Sequence, residues 1–243
     1  FFSVLLYSMQ FSFAQGSYLA VITDPQIGPQ INAMNLIEVV EDINKRQNIN
    51  QVVVLGNITA NGKFDEFIWA QEILDGLTAP FFVVGGEKDY FLSEGKGSEI
   101  SLLWGDDKNI INTKNFSAIC LNTFLPHFPS KKYIDVETMN WLEDKLADGK
   151  ISRLLTFSYH PIQVSDNSDQ FIEMNLNKKI FSFVGKNEKG LKDKSVFEGL
   201  YLNRKDGWGY VLVSTNKDSI HIKKILSGEI KKKVKPEIVR TTF

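Results

Sequence analysis

The 243-residue chain is short of the residues on which several kinds of site depend. It has one cysteine, Cys120, which excludes an internal disulfide and a cysteine-ligated zinc centre. It has three histidines, His127, His160 and His221, so a histidine-rich metal cluster has only these to draw on. It lacks a surplus of either charge. The 28 Lys and Arg against 29 Asp and Glu leave a net −1, which argues against nucleic-acid binding through bulk positive charge. No apolar run approaches the ~20 residues that a bilayer-crossing helix needs, and no transmembrane span is expected. What is present is a globular composition, 43% apolar and 23% charged, at a length that suits one sizeable domain.

Residues 1–14 carry no charge and end in Ser12-Phe13-Ala14, followed by polar Gln15 and Gly16. Small residues at the two positions a signal peptidase reads make this the apolar core and cleavage site of a secretory signal. The basic leading region and initiator Met are missing, so the chain is read as starting inside the signal. The mature protein is then expected to begin near Gln15 and to be periplasmic or secreted. The competing reading is a buried N-terminal strand.

From Tyr18 onward, short runs of Val, Ile and Phe alternate with helical spacing. Strands are expected at 18–22, 52–55 and 81–84. Between them, Ala33, Leu36, Ile37, Val40 and Ile43 mark one helix, and Phe64 to Leu77 a second. This β-α-β-α-β rhythm predicts parallel strands with helical crossovers. A hairpin is expected from 109–111 and 116–121, then a helix capped by Asp135 with Val136, Met139, Leu142 and Leu146 on its apolar face. Further strands are expected at 154–158, 180–184, 210–214 and 220–225. The domain is bounded at 15–226, and 227–243, with its lysine run, reads as a C-terminal strand or linker. His127, His221 and the many Phe read as structural. Trp208 is a candidate for the mouth of a site.

Ligands of parallel sheets bind at the carboxyl ends of the strands. The segments that follow these strands are Asp24-Pro25-Gln26, Gly56-Asn57, Gly85-Gly86-Glu87-Lys88-Asp89, Tyr159-His160-Pro161 and Gly185-Lys186-Asn187-Glu188. One polar, glycine-bearing loop is what any strand end shows. Five in succession, each after a strand, point to a site.

In order and spacing these loops resemble the signature of the calcineurin-like metallophosphoesterases: Asp-x-His, Gly-Asp, Gly-Asn-His-Asp or Glu, a His before Pro, and Gly-His-x-His. The resemblance covers about Tyr18 to Ile225. It implies a four-layer α/β/β/α sandwich of two mixed sheets. It also implies a hydrolase in which two metal ions, about 4 Å apart, clamp a displacement at phosphorus. The metal positions fall on Asp24, Gln26, Asn57, Glu87, His160, Lys186 and Glu188, of which only Asp24 and His160 keep the family residue. The catalytic His position falls on Lys88, and Asp89, which steadies that His in the family, is kept. Asn57 lacks the bridging carboxylate's charge, and the Lys186 ammonium has no lone pair to offer.

The expected function is therefore an exported phosphoesterase domain without catalysis, a scaffold or binding module holding no cofactor. The alternative is an active hydrolase with one Mg, Ca or Mn ion among the oxygens of Asp24, Gln26, Asn57 and Glu188. A third reading has Lys88 and Lys186 hold a phosphate-like anion; an envelope protein is the other partner considered. The motif residues are expected to converge in one cleft, with a lysine ammonium beside Asp24, Glu87 or Glu188.

Overall fold

The computed structural model describes residues 18–105, 108–112, 116–123, 136–147, 153–159, 179–184, 196–198, 207–215, 219–229 and 238–242. The expected signal segment, His127, Asp135, His160, Lys186 and Glu188 lie outside the described residues. In chain order the elements are β1 (Tyr18–Thr23), α1 (Gln30–Asn44), β2 (Ile49–Leu55), α2 (Phe64–Leu74), β3 (Phe81–Val84), α3 (Glu87–Phe91) and α4 (Ser98–Trp104). There follow β4 (Lys108–Asn112), β5 (Ser117–Leu121), α5 (Val136–Ala147), β6 (Arg153–Ser158), β7 (Lys179–Val184), β8 (Val196–Glu198), β9 (Gly207–Thr215), β10 (Ser219–Glu229) and β11 (Ile238–Thr242).

The strands form two mixed sheets, in the orders β11-β10-β9-β1-β2-β3 and β4-β5-β6-β7-β8. In the first, β1, β2 and β3 run parallel, while β9, β10 and β11 add antiparallel neighbours. In the second, β5 to β8 are parallel and β4 is antiparallel to β5. Helices outside the paired sheets complete an α/β/β/α sandwich.

Two apolar cores follow from the two-residue period of the strands. Leu19, Val21, Val53, Leu55, Val211 and Val213 face Ala118, Cys120, Leu155 and Phe157 in the seam between the sheets. The alternate residues Ala20, Ile22, Val52, Val54 and Leu212 turn outward, beneath Leu36, Val40 and Ile43 of α1 and Phe67, Ala70 and Leu74 of α2. Strands covered on both faces must be apolar throughout, which explains Val52-Val53-Val54-Leu55, all fully buried. Each such side chain contributes about 1.5–3 kcal/mol of transfer free energy.

Three features differ from the sequence reading. Helix α2 stops at Leu74, with Asp75 as its C-cap, so Leu77 packs from the following turn. Helices α3 and α4, of five and seven residues, were not anticipated, being too short for apolar periodicity to register. Trp208 stands against α1, where its indole nitrogen donates to Glu38 Oε2 at 2.9 Å. Among the described residues no helix is long and apolar enough to cross a membrane.

Candidate functional site

The site is built where the carboxyl ends of strands from both sheets come together. β1 delivers Asp24 and Gln26, β2 delivers Asn57, β3 delivers Glu87 to Asp89 at the start of α3, and β6 delivers Tyr159. The first loop runs beside the second through three backbone bonds: Asp24 N–H to Leu55 O, Gln26 N–H to Asn57 O and Ile27 N–H to Ile58 O, at 2.8–3.0 Å. Asp24 and Gln26 both adopt left-handed backbone, φ 55° and 48°, a conformation costing an L-residue roughly 1–2 kcal/mol. It turns both side chains into the same space. The second and third loops approach so closely that only glycine fits. A Cβ on Gly56 would lie 2.0 Å from the Gly86 nitrogen, and one on Gly86 would lie 2.7 Å from Asn57 Oδ1.

Asn57, almost fully buried, is the hub. Its Nδ2 donates to Asp24 Oδ1 at 3.0 Å and to the Tyr159 hydroxyl at 3.1 Å, while its Oδ1 accepts the Lys88 backbone N–H at 2.8 Å. Gln26 Nε2 donates to the other Asp24 oxygen at 2.5 Å, and Gln26 Oε1 accepts from the Lys88 ammonium at 3.1 Å. Each carboxylate oxygen of Asp24 thus takes a side-chain amide N–H. A lysine ammonium was expected beside Asp24, Glu87 or Glu188. Lys186 and Glu188 lie outside the described residues, and the Lys88 ammonium bonds to the Gln26 oxygen, one amide away from Asp24.

Behind this network Asp89 is fully buried and accepts four bonds: Ile58 N–H, Thr59 N–H, the Thr59 hydroxyl and Gly86 N–H, at 2.7–2.9 Å. Burial raises its carboxyl above the ordinary value, and the four donated bonds pull the other way. Asp89 therefore fixes the β2 loop to the start of α3. The Tyr159 phenol is pushed up to about 12, chiefly by burial, with the charges of Asp24, Glu87 and Asp89 adding to the rise and the Asn57 bond opposing it. It keeps its proton at neutral pH.

The structure thus gathers Asp24, Gln26, Asn57 and Lys88 into one bonded network, places Glu87 close enough to act on Tyr159, and sets Asp89 beneath them. Tyr159 and Thr59 were missed as site residues. Tyr159 lay in plain view, directly after a strand, in a loop read for its histidine.

The chain resembles a dimetal phosphatase from Danio rerio, with a TM-score of 0.64 at 15% identity, over 93% of this chain and 98% of that one. The fold is that of the calcineurin-like metallophosphoesterases. A predicted phosphoesterase from Streptococcus pneumoniae aligns over 93% of this chain and 98% of its own, at 10% identity and a TM-score of 0.41. No protein-family model matches the chain, and no curated protein matches it in sequence. A metallophosphoesterase fold hosts a site without dictating its chemistry, so function is argued from the residues themselves.

Proposed function

We propose that the chain is a catalytically silent metallophosphoesterase-fold domain, serving as a scaffold or binding module. One observation carries the reading: both Asp24 oxygens are occupied by amide N–H donors, from Gln26 and Asn57. A two-metal centre asks for lone pairs directed at the cations and a negative bridge between them. Here the bridging position is an uncharged amide whose nitrogen faces Asp24, and its oxygen already holds the Lys88 N–H. The Lys88 ammonium supplies the positive charge on Gln26 that a metal would supply. Among the described residues, this donor set does not fit a pair of dications.

A partner for this cleft is a phosphate-like group or an envelope protein, and export rests on the 1–14 segment. Mass spectrometry of the exported protein tests the latter, a first residue near Gln15 being expected. For silence, the purified chain is loaded with Mn²⁺, Zn²⁺ or Mg²⁺, its metal content measured, and its turnover of aryl phosphates assayed. Fewer than two metals per chain and no turnover above background are expected. Two well-occupied metals, or turnover abolished by Asp24→Ala, would reinstate the enzyme.

A further inference from the structure

We propose that the seam between α1 and α2 is a docking groove for an arginine or lysine side chain presented by a partner protein. The groove encloses about 350 Å³ and lies between Ile37, Val40 and Glu41 of α1 and Trp69, Glu72 and Ile73 of α2. It is separate from the cleft described above. The start of α1 touches that cleft, Asn32 Nδ2 donating to Gln26 O at 2.7 Å, whereas the groove extends to Asn44, about 18 Å further along the helix.

The seam stays open because α2 ends at Leu74 and the residue that next lines the groove is Gly76, which has no side chain to fill it. Its far end is fixed. Asn44 Nδ2 donates to Gly76 O at 2.8 Å, and Asn44 Oδ1 accepts the N–H and hydroxyl of Thr78 at 2.9 and 3.1 Å. The volume sits at the low end of the ~300–1,000 Å³ range of ligand pockets, which suits one long side chain better than a helix.

Charge selects the occupant. Among the described residues, two carboxylates line the groove and no cation does. Glu41 is paired with Lys45, but at 3.8 Å with both side chains well exposed, a contact worth little. An anion would be repelled by the two carboxylates, and an uncharged apolar guest would offer neither a partner. An aliphatic stem ending in a cation satisfies every wall. The stem lies on Ile37, Val40 and Ile73, and the charge sits between Glu41 and Glu72 against the Trp69 ring. Arginine, the commonest charged anchor of protein interfaces, has this form.

The test titrates the whole chain with the capped peptide Leu-Arg-Leu and with its citrulline analogue, which keeps the shape and loses the charge. The Trp69 indole signal, assigned with Trp69→Phe, is followed by NMR. Saturable binding of the arginine peptide is expected, weakened about threefold by Glu72→Gln, about tenfold by the Glu41→Gln/Glu72→Gln pair, and progressively by salt. Both glutamates lie on the groove's open rim, and unchanged thermal melts verify that the variants fold. Equal binding of the citrulline peptide, unweakened binding to the double variant, or no saturable shift at Trp69 overturns the proposal. So does preference for a trileucine peptide, which makes the occupant apolar, or self-association that closes the groove, which makes it a second copy.

Discussion

Asn57→Asp probes the candidate site most directly, because it puts a carboxylate where the sequence resemblance expects the bridging ligand and changes nothing else. The amide nitrogen sits 3.0 Å from Asp24 Oδ1, so the variant sets two carboxylate oxygens at that separation in a nearly buried position. Repulsion there amounts to about 1–5 kcal/mol, depending on whether the effective dielectric is that of water or of a protein surface. The bond donated to Asp24 is lost, about 1 kcal/mol, while the Tyr159 hydroxyl, 3.1 Å from the same nitrogen, can turn and donate back a similar amount. A net loss of about 2–3 kcal/mol is expected from urea unfolding followed by tryptophan fluorescence. If the proposed reading holds, the paired carboxylates then form a cation site where the wild type has none. Mn²⁺ at a hundred times its dissociation constant should return about 2.7 kcal/mol to the variant and leave the wild type unmoved. The reasoning fails if Mn²⁺ stabilises the wild type as strongly as the variant, since Asp24 would then already be a metal ligand. It fails equally if the variant without metal is as stable as the wild type.

Three other outcomes follow from the same structure. Asp89→Ala strands three backbone N–H groups and the Thr59 hydroxyl, and should cost at least about 3 kcal/mol in denaturant unfolding; a loss under about 1 kcal/mol refutes the clamp. Burial and its bond to Asp42 raise the Tyr210 phenol above its ordinary value of 10, with the nearby Arg46 opposing. That contribution is whole below pH 10 and is lost as pH rises through the folded value, so Tyr210→Phe should flatten the alkaline limb of the stability profile. Cys120 is buried between the sheets and its thiol is pushed up to about 12, so Ellman's reagent should titrate it only after unfolding; fast reaction of the native protein contradicts that burial.

The strands were legible because their residues are apolar for one clear reason. Val52 to Leu55 cannot be other than apolar when both sheet faces are covered, and the turn from β to helical period at Ala33 or Phe67 is a change of geometry written in the sequence. Asp24, Asn57 and Lys88 were legible by position, since each follows a strand. Their partners were not. Nothing in the spacing says that the Asn57 nitrogen faces Asp24 and Tyr159 while its oxygen takes the Lys88 N–H, because that depends on the left-handed turns at Asp24 and Gln26 and on the glycine contact at Gly56 and Gly86. The charge of Lys88 was foreseen and its partner was not. Its ammonium bonds to the Gln26 amide oxygen, 3.1 Å away.

That geometry bears on how a metallophosphoesterase fold holds its loops in place whatever side chains they carry. The loops converge because the parallel strands of both sheets end at the same edge, and apolar burial orders those strands without help from the loops. Asp89 then ties the β2 loop to α3, and Asn57 reaches from the first sheet to Tyr159 at the end of β6 in the second. A hydrogen-bonded chain, Lys88–Gln26–Asp24–Asn57–Tyr159, thus spans the cleft from one sheet to the other. Substitutions in these loops need not unfold such a protein, provided each new side chain leaves no carboxylate oxygen without a donor. By the same logic, Asn57→Asp removes a donor from Asp24 and adds a charge beside it, so that single change weakens the fold before it adds any chemistry.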